Sequence, residues 1–170
     1  ALDVVGSVLR LNAEETSGRA EPLLACPVSR LRWAAGHLTI AFGGAALIML
    51  LAGAGLAVGY GKQVGPILGA CLVQLPAVWV IGALTLLLYG VAPRVCAPAS
   101  WGVAVAVLLI GWVGPALNAP QLVLDLSPFG HLPKLPGGGM EWGPVAILLG
   151  LAAVLAGGGL AGLRRRDLTG

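Results

Sequence analysis

Acidic and basic side chains are scarce in this 170-residue sequence, in which 10% of the residues are charged. Four stretches, at about 34–59, 66–90, 99–117 and 142–163, contain no Asp, Glu, Lys or Arg. Each is about as long as the ~20 apolar residues that a helix needs to cross a membrane. With 58% hydrophobic residues, the composition lies far outside that of soluble domains. The sequence therefore predicts an all-α membrane protein with four transmembrane helices.

The lack of charge inside the predicted spans also bears on the energy source. Carriers coupled to protons or sodium usually hold ionisable groups near the middle of the membrane, where such groups are unfavourable and are kept for function. His37 is the one ionisable candidate, but it follows Arg32 and Trp33 closely. We therefore expect a packed histidine at the inner interface rather than a proton relay.

Motifs for enzymatic chemistry are missing as well. There is no Walker A pattern, no pair of intramembrane aspartates and no zinc-binding histidine cluster. Gly157, Gly159 and Gly162 fit G-x-G-x-x-G, but they lie inside an apolar span with no strand before them, so nucleotide binding is not predicted. His131 belongs to no metal-binding signature. We expect neither enzymatic activity nor a metal or cofactor in this chain.

Positive charge is distributed unevenly around the spans. If the amino-terminal end is cytoplasmic, all eight arginines lie inside, and Lys62 and Lys134 lie outside. Because cytoplasmic loops retain Lys and Arg, this distribution predicts four crossings with both ends in the cytoplasm. Cys26 and Cys96 would then also be cytoplasmic, where thiols stay reduced. The arginines are Arg10, Arg19, Arg30, Arg32, Arg94, Arg164, Arg165 and Arg166.

The chain divides into three predicted regions. Residues 1–33 would be the cytoplasmic end of a truncated helix and a short helix closed by Pro27, residues 34–163 the transmembrane domain, and residues 164–170 a cytoplasmic tail. Since the chain starts at Ala1 without a signal sequence, we expect it to be the carboxy-terminal piece of a longer protein.

Several positions predict features within the transmembrane domain. Pro76 should kink the second span. Gly55 and Gly59, at GxxxG spacing, either pack against another helix or reflect a general bias toward small residues. Between the last two spans, residues 118–141 are apolar but rich in proline, which predicts a re-entrant outer segment of short helical pieces supported by neighbouring protein.

Two segments carry a resemblance to a known family. The sequence EETSGRAEPLLACPVSR at residues 14–30, followed at once by a span, resembles the cytoplasmic segment of ABC-2 type transporter permeases. The sequence LSPFGHLP at residues 126–133 is similar to the re-entrant segment before the last span in the polyketide-antibiotic and multidrug exporter branch of actinobacteria. This chain departs from the family pattern at Asn12 and Cys26.

The resemblance implies a permease subunit in a bacterial cell membrane that exports an amphipathic or apolar small molecule. A separate ABC ATPase subunit would hydrolyse ATP, and the other half of the permease or a second copy would complete the path. The four spans would be the last four of six. The short helix that docks on the ATPase would include Gly18, Arg19, Glu21, Leu23, Leu24 and Pro27.

Other classes of protein remain possible from the residues alone. A structural membrane protein could use the glycine-rich spans to assemble partners. A secondary carrier is disfavoured by the missing charges. Nucleic-acid binding is not predicted, although the net charge is +3, because the basic residues flank spans and are not interleaved with aromatic residues.

Overall fold

The computed structural model describes residues 1–16, 30–60, 64–113, 116–117, 120, 127–133, 139 and 141–167. Within these ranges the chain is α-helical and contains no strand, which confirms the predicted fold class. The helices are α1 (Leu2–Thr16), α2 (Arg30–Tyr60), α3 (Val64–Leu72), α4 (Leu75–Val91), α5 (Pro93–Val113), the 3₁₀ helix (Pro128–His131) and α6 (Trp142–Asp167).

Among the described residues, four helical segments are long and apolar enough to cross a membrane, as predicted. They are Ala34–Gly59, Val64–Val91, Pro93–Val113 and Trp142–Arg165. The third differs most from its predicted range, because α5 begins at Pro93, where proline suits the first turn of a helix, and contains Pro98. The loop between α4 and α5 is reduced to Ala92, and Arg94 lies exposed in the first turn of α5.

The second span is broken where the sequence places Pro76. Proline lacks an N–H group and its ring clashes with the preceding turn, so α3 ends at Leu72 and α4 begins at Leu75. Across the break, the Gln74 N–H bonds to the Cys71 carbonyl at 3.3 Å, one residue short of the α-helical pattern. The Val78 N–H bonds to the Gln74 carbonyl at 3.2 Å and restores that pattern.

Helix α4 lies at the centre of the bundle. It packs against α1, α2, α5, α6 and the 3₁₀ helix. In its most apolar stretch the span Val64–Val91 is 56% buried, whereas each of the other three spans is 22% buried. The other spans therefore leave most of their apolar surface free for lipid or for other parts of a larger assembly.

The contact between α4 and α6 is made by backbone atoms. A Cβ atom on Gly90 would collide with the Gly159 carbonyl oxygen, and one on Gly162 would lie 3.0 Å from the Gly90 carbonyl group. A Cβ on Gly159 would lie 2.8 Å from the carbonyl carbon and oxygen of Leu86. Glycines therefore let the two helices approach at their carboxyl ends, as small residues do in membrane helix pairs.

The same two helices also meet at their amino-terminal halves. Val80 and Ala83 of α4 share a buried cluster with Leu148 and Ala152 of α6. The amino-terminal halves of the two helices contact each other, and Gly90 near the end of α4 contacts Gly159 and Gly162 near the end of α6. The two helices therefore run parallel. Arg94 and Arg164 therefore lie at the same end of the bundle, which is consistent with the predicted topology.

Helix α1 is part of this bundle, which the sequence did not predict. Val4, Val5 and Val8 are at most 1% exposed. Val4 lies against Gly82 of α4, where there is no room for a Cβ atom. Val5 clusters with buried residues of α4 and α5. The domain limits at residues 33 and 163 stay predictions.

Two sequence expectations need correction or refinement. Cys96, predicted to lie in a cytoplasmic segment between two spans, is fully buried within α5. Its Sγ atom lies 3.6 Å from the Thr85 carbonyl oxygen, because α5 starts early and this residue faces α4. A Cβ atom added to Gly55 or Gly59 would meet no atom within 4 Å among the described residues, whereas one on Gly53 would contact Leu68 of α3. The GxxxG pair therefore does not contribute to packing within the described bundle.

Replacing Gly159 tests the backbone contact. Gly159→Ala should lower the free energy of unfolding by roughly 1–3 kcal/mol, because the new methyl group meets backbone that cannot move aside. Gly157→Ala is the matched control, since a Cβ there meets nothing within 4 Å. It should leave stability unchanged or raise it by about 0.5–1 kcal/mol. Thermal unfolding of the full-length permease in detergent measures both, and equal stability of the two variants would contradict the contact.

Candidate functional site: an apolar cavity at the broken span

The predicted outer segment, residues 118–141, contains a short 3₁₀ helix. Pro128 occupies its first turn, and the Gly130 N–H bonds to the Ser127 carbonyl at 3.0 Å. His131 Nδ1 bonds to the same carbonyl oxygen at 3.3 Å. Phe129 packs against two buried clusters of the bundle, and Leu132 packs against a third. The neighbouring helices therefore support this helical piece, as the sequence predicts for a short element in a membrane.

A cavity of about 430 Å³ lies between this segment and the broken span. Val73, Gln74 and Val78 contribute from the break and the start of α4. Val107, Leu108, Gly111 and Trp112 contribute from α5. Phe129, Leu132 and Pro133 contribute from the outer segment. The volume is within the range of pockets that hold small organic molecules, about 300–1,000 Å³.

Apolar side chains form most of the cavity wall. Among the described lining residues, Gln74 alone carries a side-chain amide, and no side chain carries a charge. Ala1, the first residue of the sequence, lines the cavity as well, together with Met49 and Ala70. A Cβ atom on Gly111, another lining residue, would lie 3.6 Å from Ser127 Oγ. That hydroxyl oxygen is buried behind the wall without a hydrogen-bond partner in the described part of the chain, which is unusual for a buried hydroxyl group.

Three other polar side chains of the spans bond within their own helix or to a neighbouring helix. Thr85 Oγ1 bonds to the Ile81 carbonyl at 3.0 Å, and Thr39 Oγ1 bonds to the Ala35 carbonyl at 2.8 Å. Trp79 Nε1 donates to the Phe42 carbonyl at 3.3 Å, and the two rings stack with centroids 5.7 Å apart. The contact between Trp79 and Phe42 links α4 to α2.

Of the segments that the sequence singled out, residues 126–133 supply Phe129, Leu132 and Pro133 to the cavity wall. The histidines and the predicted ATPase contact lie apart from the cavity or outside the described ranges. The predicted ATPase contact falls outside them, so its role stays a prediction; it comprises Gly18, Arg19, Glu21, Leu23, Leu24 and Pro27. His37 is half-buried near the start of α2, and His131 is exposed at the end of the 3₁₀ helix. The cavity itself was missed, although Pro76 and Gln74 in one apolar span were a usable signal for it.

Comparison with known proteins places this arrangement in a family. Residues 1–164 match the model of the family described as "Multidrug efflux system permease Rv1217c, C-terminal domain". The chain belongs to this family. It is also 41% identical over 171 residues to the multidrug efflux system permease protein Rv1217c of Mycobacterium tuberculosis. That alignment covers 96% of this chain and 31% of the relative, so the chain spans about a third of the relative's length.

Membership of this family indicates that the four apolar helices belong to a transport protein. The chain is a multi-pass membrane domain of a multidrug permease family. Gly159 and Gly162, which match a dinucleotide-binding pattern in sequence, are used for helix packing in this domain. The resemblance to efflux permeases seen in the sequence is confirmed at the level of multidrug permeases.

Proposed function

We propose that this chain is the carboxy-terminal membrane domain of a permease that exports amphipathic or apolar drug-like molecules, powered by a separate ABC ATPase. The observation that carries the proposal is the match of nearly the whole chain to a multidrug efflux permease domain. The similarity of residues 126–133 to polyketide-antibiotic exporters extends the proposed substrates to antibiotics of that kind. The other half of the permease or a second copy completes the path.

The missing intramembrane charge supports an external energy source. Inside the four described spans the interior carries no Asp, Glu, Lys or Arg, so these helices offer no carboxylate or cation for a coupling ion. Hydrolysis of ATP on a partner subunit supplies the energy instead, and the chain needs no cofactor of its own. The segment from Gly18 to Pro27 is the proposed contact with that subunit, because it combines Leu23 and Leu24 with charged neighbours on the arginine-rich side.

We place the arginine-rich end of the bundle in the cytoplasm. The parallel arrangement of α4 and α6 supports this proposal, because it brings Arg94 and Arg164 to one end. Positive residues concentrate on the cytoplasmic side of membrane proteins.

Cysteine labelling tests this orientation. In a full-length permease whose accessible native cysteines are replaced, Arg94→Cys should react with an impermeant maleimide only in inverted vesicles, and Glu141→Cys only in intact cells. Both positions are exposed, so access depends on the side of the membrane alone. Native Cys96 should resist the reagent on either side, because it is buried. Labelling of Arg94→Cys in intact cells would contradict the proposed orientation and indicate the opposite one.

The energy source is tested in vesicles that contain the complete permease and its ATPase. Accumulation of an amphipathic fluorescent drug should persist when the proton gradient is collapsed, and should stop when ATP is replaced by a non-hydrolysable analogue. Transport that needs the gradient and survives without ATP would favour a secondary carrier. If a broad panel of apolar compounds is not transported, the structural role is favoured.

The ATPase contact is tested by placing charge in its apolar pair. Leu23→Asp combined with Leu24→Asp should abolish co-purification of the ATPase, because an unpaired charge buried in an interface costs about 3–5 kcal/mol. Leu168→Asp, the same exchange in the predicted cytoplasmic tail, is the matched control and should leave co-purification intact. Normal co-purification of the double variant would remove this segment from coupling.

A further inference from the structure

We propose that the cavity at the broken second span is a binding site for a neutral, aromatic, amphipathic molecule with a hydrogen-bonding group. This inference rests on the proposed export function and assigns it a place in the chain. The site lies between Gln74 of the break, Gly111 and Trp112 of α5, and Phe129 of the 3₁₀ helix.

The break in the second span explains why a cavity forms beside Val73 and Gln74. Interrupted helices in membranes are tolerated where the freed backbone groups are buried in protein or line a cavity. In transporters such interruptions are typical of substrate sites. Here the interruption at Val73 and Gln74 opens directly into the cavity, since both residues line it.

The wall selects an uncharged molecule with an aromatic body. A charged ligand would lose its hydration without gaining an oppositely charged side chain, because no described lining side chain carries a charge. Phe129 and Trp112 offer ring surfaces, against which aromatic groups stack favourably. Trp112 lines the cavity and is 86% exposed, so its ring is available to an entering molecule.

The Gln74 amide distinguishes such a ligand from a lipid acyl chain, because it lines the cavity. An acyl chain would offer this amide no hydrogen bond. A molecule with a carbonyl or amide group can pair with it, which favours its binding over that of a hydrocarbon.

Binding is measured on the full-length permease in nanodiscs without the ATPase. The probe is a benzanilide that carries a diazirine and an alkyne, with cross-linked peptides located by mass spectrometry and affinity obtained from displacement by benzanilide. Wild type should cross-link at α5 and at the 3₁₀ helix. An alkyl diazirine of equal length without ring or amide tests hydrocarbon occupancy.

Two variants and one control decide the assignment. Gly111→Leu fills the cavity and should weaken binding at least about 10-fold, by loss of the space that the ring needs. Gln74→Leu keeps the size of the side chain and should weaken binding about 5-fold, by loss of one hydrogen bond. Gly102→Leu lies on the same helix at an exposed position with nothing within 4 Å and should bind as wild type does. Gel filtration and thermal unfolding confirm that each variant is folded.

The outcomes separate this inference from the proposed function. Wild-type affinity in folded Gly111→Leu, equal labelling by the alkyl probe, or no binding to wild type would each overturn the site, even if ATP-driven export is observed. Site-specific binding to wild type without any ATP-driven export would retain the site and overturn the proposed function.

Discussion

A backbone-to-backbone contact between α4 and α6 fixes the arrangement of the helices around it. In lipid, apolar side chains gain little by leaving the membrane for a helix interface, so close approach and good packing must hold the helices together. Gly90, Gly159 and Gly162 supply that approach at one end, and the cluster around Ala83 and Ala152 continues it toward the other end. With α4 held in this way, α1, α2 and α5 pack around it. Because Pro76 lies in the first turn of α4, the packing of α4 also fixes where the break and the cavity lie within the bundle.

This arrangement separates the stable part of the domain from the part available for function. The carboxyl half of α4 is packed against α6 and lies near the arginine-rich end. Its amino-terminal end adjoins the break, the cavity and the 3₁₀ helix. A domain built in this way can transmit a movement from one end to the other through a single rigid helix, because α4 packs against every other described helical element apart from α3. The exposed apolar faces of the other spans leave room for the rest of a permease, since this chain matches about a third of its relative.

Much of the fold could be predicted from the sequence, because length and hydropathy decide what crosses a membrane. The four spans, the interruption at Pro76 and the short helical piece near Phe129 all follow from local chemistry. The contacts could not be predicted, since glycine is frequent throughout the spans and its spacing alone does not say which positions face a partner. A Cβ atom on Gly55 or Gly59, which fit the helix-packing motif, would meet no described atom within 4 Å, while Gly159 and Gly162, which fit a dinucleotide-binding motif, contact the backbone of α4. The burial of α1 and of Cys96 likewise depends on neighbours distant in the chain. Two short segments were enough to recognise a multidrug permease, although not its branch, and most of one segment lies outside the described residues.

Disulfide cross-linking in the full-length permease tests the parallel α4–α6 pairing most directly. A Cβ atom at Gly158 would lie 3.1 Å from Leu87 Cδ1, so Leu87→Cys with Gly158→Cys should cross-link readily under mild oxidation. Leu87→Cys with Ala146→Cys should not, because Ala146 lies twelve residues earlier on α6, about 18 Å along the helix axis. Cross-linking of the second pair, with none in the first, would contradict the arrangement on which the cavity and the shared arginine-rich end depend.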